Sequence, residues 1–318
     1  MLRRLWQSGM IKLAHSGWVT RFMQENRATS FLSVKYVAGV TPSQAINKSV
    51  ELLDKKGVRV SYFYLGEYVD SIRLVELNVR NIIEVAKLLN SKNLDIHISV
   101  DPTQIGFSID ESIGYKNALD VAKHIRASSD GGDRIFCIML DMEDYAIVDK
   151  TISLHNELKQ DGFPAAITLQ AYLKRTESDI RELIETGSIV RLVKGAFTAS
   201  SDVSYTKQKD IKANYYKLVE LMLSSEAREK GFYPIIATHD TDVQKFSISE
   251  AKKNGWKKGE YEFEMLLGVR TDVAEELSSD GERVRLYMPF GKDWWPYAVR
   301  RIGENPRNAL LLARSLID

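Results

Sequence analysis

The chain has 318 residues, 44% of them hydrophobic and 27% charged, with a formal net charge of +1. Such a length buries a substantial core, and this composition is that of an ordinary globule rather than a disordered or fibrous chain. The near-neutral charge gives no electrostatic reason to expect nucleic acid, no apolar run approaches the ~18–20 residues of a membrane span, and no secretory signal is evident.

In chain order, the segment Met1-Leu-Arg-Arg-Leu-Trp6, with Ile11, Leu13 and Trp18, reads as an amphipathic helix. It either lies on a membrane surface or packs across one end of its own domain; its few apolar residues and weak basicity favour packing. Residues 1–41 are therefore assigned to a short helical N-terminal extension. Beyond it, apolar and β-branched runs recur at Val58–Leu65, Leu94–Val100, Ile135–Leu140, Ala165–Leu169, Ile189–Val193, Tyr233–Ala237, Tyr261–Leu267 and Val284–Tyr287. The single cysteine, Cys137, falls in the third run, cannot form an internal disulfide and is expected to pack. Charged stretches with helical spacing, such as Val79–Leu89 and Tyr215–Leu223, separate the runs. Strands alternating with helices predict parallel βαβ units, and eight of them predict a (β/α)8, TIM-like barrel over residues 42–318. An open doubly wound sheet would want a Gly-x-Gly-x-x-Gly turn after an early strand, and the sequence has none. No low-complexity linker or internal repeat divides the chain.

Barrel enzymes carry their chemistry at the carboxyl ends of the strands. Here those positions hold Gly66-Glu67, Asp101-Pro-Thr103-Gln104, Asp141-Met142-Glu143-Asp144, Gln170-Ala-Tyr172, Lys194-Gly195-Ala196-Phe197, Thr238-His239-Asp240 and Tyr287. Single polar residues at strand ends are ordinary caps and turns. Charges inside strands are different, because a buried charge without a partner is costly. Arg191 and Lys194 lie within the apolar run 189–197, and alternation puts Arg191 and Val193 on one face. If that face is the barrel interior, Arg191 requires an anionic or strongly accepting partner. Downstream, Arg300 and Arg301 precede Glu304 by one helical turn, so the three share a helix face. Paired guanidiniums suit a carboxylate or phosphate, although solvated helical ion pairs give the same pattern.

The five histidines (His15, His97, His124, His155 and His239) show no metal-hydrolase spacing, so no metal is expected. Asp141, Glu143 and Asp144 fit helix capping better than a hard cation, since strand alternation separates them. Lys194 leaves a Schiff-base lyase open as an alternative. No serine or cysteine nucleophile motif is present. What remains is a site of cations, amides and turns able to hold a large anionic cofactor with a carboxylate substrate.

The set Arg191-Leu-Val-Lys-Gly-Ala196, Ala237-Thr-His239, Tyr261-Glu-Phe263, Asp141-Met-Glu-Asp144 and Tyr297-x-x-Arg300-Arg301-x-x-Glu304 resembles the proline dehydrogenase family, most of all its monofunctional bacterial form. The likeness runs in order from about Gly39 to the C-terminus. It implies a modified (β/α)8 barrel that binds FAD and oxidises L-proline to 1-pyrroline-5-carboxylate by hydride transfer from C5 to flavin N5. A quinone would be the electron acceptor. It further implies a cytoplasmic location, at most peripheral at the inner face of the membrane. By the same resemblance, Arg300 and Arg301 hold the substrate carboxylate, Glu304 orients them and Glu67 forms a gating ion pair with Arg300. Tyr297 packs on the proline ring, while Tyr287 and Asp141 shape the pocket. Met142, Gln170, Arg191, Val193, Lys194, Gly195, Ala196, Thr238 and His239 fall to the cofactor, with Arg191 near flavin N5 and N1.

Three positions depart from the family pattern. Asp101 stands where a substrate-binding lysine is usual, Phe197 replaces a tyrosine, and Glu264 replaces a glutamine. Asp101 could pair with Arg301 or with the substrate ammonium. It also leaves open a flavin dehydrogenase for a related imino acid such as hydroxyproline, or a non-catalytic flavin-binding barrel.

Overall fold

Thr41 begins the first helix described over its whole length, and for a local reason. Its hydroxyl accepts from the Gln44 amide at 3.3 Å, and the Gln44 side chain accepts from the Thr41 amide at 3.2 Å. Pro42 occupies the first turn and Gly57, at φ 63°, ends the helix, so α1 spans Pro42–Lys56. This reciprocal box satisfies backbone donors that a helix start leaves orphaned. The computed structural model describes residues 36–66, 69, 71–92, 94–127 and 134–304, the side chains of 300–304 excepted. Residues 1–35, most of the predicted extension, lie outside the described residues.

After α1 come β1 (Arg59–Tyr64), α2 (Ile72–Asn90), β2 (Ile96–Val100), α3 (Glu111–Arg126), β3 (Phe136–Leu140), α4 (Val148–Gln160) and β4 (Ala165–Gln170). They are followed by α5 (Thr176–Glu185), β5 (Ile189–Val193), α6 (Gln208–Met222), α7 (Ser225–Glu229), β6 (Tyr233–Ala237) and α8 (Thr241–Lys253). The chain then forms β7 (Glu262–Leu266), α9 (Thr271–Ser279), β8 (Val284–Phe290) and α10 (Trp294–Glu304). The eight strands close in sequence order into a barrel, every neighbouring pair parallel. All eight predicted strands are present. Strands covered on both sides read as continuous apolar runs, which is why length and rhythm identified them.

Two differences matter. β8 continues to Phe290, because Met288, Pro289 and Phe290 keep pairing with Tyr62, Phe63 and Tyr64. Tyr287 is therefore inside a strand rather than at its end. Lys194 lies just beyond β5 and is exposed, not part of the buried run.

At the mouth, Gly291 (φ 137°) makes the turn from β8 to α10, and a Cβ there would lie 3.0 Å from the Leu65 carbonyl oxygen. The Ala38 amide donates to Pro289 O at 2.8 Å. Tyr36 and Val37 join Phe63, Leu65, Trp294, Trp295, Tyr297, Ala298 and Val299 in one buried cluster, with Tyr287 packed against it. α10 is thus pinned beside the carboxyl ends of the strands.

The interior holds two charged groups, and with them packs a buried cluster of Ile135, Cys137, Met139, Ala166 and Ile235, with His97 opposite Cys137 in the strand register. Cys137 is packing, as expected, and burial pushes its thiol well above the ordinary range. The lower group centres on Arg285, fully buried, which donates to Glu262 at 2.6 and 3.0 Å, Asp95 at 2.8 Å and Val60 O at 2.8 Å. Breaking such a pair strands a buried charge at ~3–5 kcal/mol. Arg285→Met is accordingly expected to lower unfolding stability by ~3–5 kcal/mol in urea titration; a loss below ~1 kcal/mol contradicts this account of the core.

Candidate active site

β5 carries Arg191 into the upper interior, where its side chain is only 3% exposed. The partner that alternation demanded is there twice over. Nε and Nη2 donate to the two Glu264 oxygens at 2.5 and 2.9 Å, and Nη1 donates to Asp141 Oδ1 at 2.5 Å. The remaining donors reach Thr168 Oγ1 at 3.3 Å and Ser99 Oγ at 3.0 Å. Five bonds account for the five N–H groups of a guanidinium. Burial opposes the charge of Arg191, but Glu264 and Asp141 override it and hold the group protonated.

β3 delivers Asp141 at its end, where the Asp141 amide donates to Val100 O at 2.9 Å. The carboxylate also accepts from Thr168 Oγ1 at 3.0 Å and from the Tyr287 hydroxyl at 2.9 Å. Tyr287 stacks on Phe63, with ring centroids 5.4 Å apart, and its own ring lies 5.3 Å from the Arg191 guanidinium carbon. Burial raises the Asp141 carboxyl above its ordinary value, against the pull of Arg191 and three hydrogen bonds. One guanidinium shared with Glu264 does not offset that burial. Burial, then Asp141 and Asp101, raise the Tyr287 phenol as well, so it stays a proton donor.

β4 ends in Gln170, 1% exposed. Its Nε2 donates to Met142 O at 3.2 Å and Glu143 O at 2.8 Å, whereas its Oε1 has no partner. The strand-three loop that supplies those carbonyls is clamped by Glu143, which accepts from the Thr103 amide at 2.9 Å and its hydroxyl at 2.6 Å. Glu143 thus braces two loops, while Asp144 does the capping, accepting from the Ala146 amide at 3.1 Å. Among the described residues no group of three or more metal-type side chains comes together.

Next to Gln170, Gly195 adopts φ 96°; a Cβ there would fall 2.2 Å from Tyr172 Cδ1 and 3.0 Å from Gln170 Oε1. Only glycine lets backbone run so close. The Tyr172 hydroxyl, also buried, has no partner. Lys194 and Ala196 are exposed on either side, and Val193 is half-buried. From β6, Thr238 and His239 are half-buried, with His239 Nε2 accepting from the Leu266 amide at 3.0 Å. Tyr297 and Tyr287 meet in the cluster under α10. Arg300, Arg301 and Glu304 follow Tyr297 on that helix at i+3, i+4 and i+7, hence on its face; their side chains, and all of Glu67, lie outside the described residues.

The structure therefore gathers Asp101, Asp141, Tyr287, Tyr297, Gln170, Arg191 and the Val193–Ala196 turn at the carboxyl end of the barrel. Thr168, Ser99, Ser61 and Tyr172 were not singled out in the sequence as site residues. Thr168 and Ser99 share the inward register of Arg191, and small hydroxyls in a buried strand are the signal that could have found them. An exposed Lys194 lacks the apolar desolvation that activates a Schiff-base lysine.

The arrangement fits the flavin that the sequence resemblance implies. An orphaned acceptor on Gln170 and an orphaned hydroxyl on Tyr172 are aimed beside a backbone turn that a Cβ would fill. Buried polar atoms of this kind call for a partner.

The family model described as proline dehydrogenase matches residues 46–314. Proline dehydrogenase of Deinococcus radiodurans is 30% identical over 323 residues, covering 100% of this chain and 99% of that protein. Proline dehydrogenase 2 of Bacillus subtilis (strain 168) is 29% identical over 296 residues, 93% of each chain. Among solved structures, proline utilization A (PutA) from Bdellovibrio bacteriovorus superposes with a TM-score of 0.78 at 21% identity, covering 87% of this chain and 33% of that one. That likeness speaks for the barrel fold, and this chain spans about a third of the PutA length. On the family match and the relatives at full length, the chain belongs to the proline dehydrogenase family, oxidoreductases that act on proline.

Proposed function

We propose that this chain is an FAD-dependent proline dehydrogenase of proline catabolism, oxidising L-proline to 1-pyrroline-5-carboxylate; FAD held at Gln170, Arg191 and the Val193–Ala196 turn would supply the acceptor, at N5, for the C5 hydride and the link to a quinone. The observation that carries the cofactor reading is Gln170. Both donors of its amide are engaged by the Met142 and Glu143 carbonyls, so its free Oε1 can only accept. It therefore selects a ring-edge N–H. The turn Val193–Ala196 would follow the cofactor's linker and phosphates, and Thr238 and His239 its other half. Met142 lends its carbonyl to Gln170 and so positions that amide.

For the substrate, Arg300 and Arg301 would grip the carboxylate in charge-assisted bonds, with Glu304 orienting them and Glu67 gating against Arg300. Tyr297 packs with Tyr287 and would bear on the ring. Fixing one end of a five-membered ring presents the opposite carbon, and such positioning is worth ~7–11 kcal/mol in favourable cases. The departing amine proton needs no dedicated base if proline enters neutral. Asp101, near Tyr287, would receive the substrate nitrogen rather than its carboxylate. We read the protein as cytoplasmic with at most peripheral membrane contact; among the described residues no helix is long and apolar enough to cross a membrane.

Purified protein should be yellow, and anaerobic L-proline should bleach it; a colourless protein after FAD reconstitution contradicts the cofactor, and a yellow one that no imino acid bleaches contradicts the reaction. Gly195→Ala should cut FAD occupancy at least tenfold by equilibrium binding, since its Cβ would collide with Tyr172; unchanged occupancy would remove this turn from the site. Asp141 makes a third test. Its raised carboxyl favours the protonated folded state, so its contribution to stability is present below the ordinary carboxylate value and is lost as pH rises through the raised one. Urea titrations should show Asp141→Asn gaining on wild type as pH climbs from 4 to 8. Parallel profiles would mean that Asp141 is not raised.

A further inference from the structure

Glu264 does something the proposed reaction does not ask for. It is 2% exposed, and it occupies the Nε–Nη2 fork of Arg191 at 2.5 and 2.9 Å. Ser61 donates to its Oε1 at 2.5 Å. Asp141 is left with a single Nη1 bond. The same guanidinium thus faces two carboxylates, and no N–H of Arg191 remains for any other acceptor. Among the described residues, the charged and titratable groups acting on it are Glu264 from β7, Asp141 at the end of β3 and Tyr287 from β8, with Asp101 beyond β2 acting in turn on Tyr287. His97, on β2 below, is kept neutral by burial and by the two arginines.

Resting on the flavin reading above, we propose that Glu264 is a positioning residue that cancels the charge of Arg191, so that the bound flavin meets a compensated pair rather than a bare cation and is harder to reduce. A fixed cation beside a flavin favours the reduced, anionic ring, and a carboxylate locked in its fork subtracts from that. Glu264 acts through Arg191 and needs no contact with substrate. The geometry also assigns Asp141 its part: with the fork taken, the second carboxylate is the one that binds or releases a proton as the local charge changes.

Potentiometric titration of the holoenzyme, read by flavin absorbance at fixed pH, tests this in Glu264→Gln, Asp141→Asn and the double variant. Glu264→Gln alone should raise the midpoint potential only partly, because Asp141 ionises in its place. In the Asp141→Asn background that compensation is gone, and the added substitution should raise the reduction equilibrium at least tenfold, about 30 mV for a two-electron couple. Ser61→Ala, a mild change that strips a donor from the carboxylate, should move the potential the other way. Equal potentials in Asp141→Asn and the double variant, or a rise in Ser61→Ala, overturn the assignment. The protein without cofactor supplies a separate readout. The pH-dependent stability gap between wild type and Asp141→Asn should close when both carry Glu264→Gln, since Asp141 then has Arg191 to itself. A gap that persists overturns the proposal even if no flavin binds, whereas failure to bind FAD sinks only the cofactor reading.

Discussion

Arg191 is the constraint around which the upper barrel is arranged. A guanidinium at 3% exposure survives only because each of its donors is met. Meeting them recruits four other strands: Ser99 from β2, Asp141 at the end of β3, Thr168 from β4 and Glu264 from β7. Tyr287 from β8 then closes on Asp141 and on the Arg191 face. The positions of five side chains are fixed by one charge.

The lower group shows what the same chemistry does without a mouth to serve. Arg285, Glu262 and Asp95 are buried and mutually satisfied, with Arg59 and the Ile135 amide completing Asp95. Buried ion pairs are weak evidence for stability in themselves, since apolar packing of similar volume often does as well. The contrast lies in the upper group, where Asp141 remains 13% exposed and carries an unbalanced carboxyl. Perturbed groups at the carboxyl end of barrel strands mark chemistry; fully satisfied ones below mark architecture.

Much of this was legible in the residues. The strand rhythm is local, and so is the anomaly of an arginine in an apolar run; both survive into the barrel. That Arg191 needed an acid could be argued, and Glu264, a charge inside a strand, was a visible candidate. Its fork geometry was not, because Arg191 and Glu264 are 73 residues apart in the chain and meet only through the closure of the barrel. Tyr172 escaped for the same reason: its closeness to Gly195 is a property of two adjoining loops. Lys194 misled because one extra residue past a strand turns a side chain from core to water. The length of β8 misled because pairing with β1, not hydropathy, decides where it stops.

The most direct test is a crystal structure of the FAD-loaded protein with L-proline or an unreactive carboxylate analogue. The account predicts the isoalloxazine beside the Arg191–Glu264 pair, a ring N–H on Gln170 Oε1, and the ligand's carboxylate between Arg300 and Arg301 under Tyr297. A cofactor bound away from β4 and β5, or guanidiniums of α10 directed into solvent with the ligand elsewhere, would contradict it.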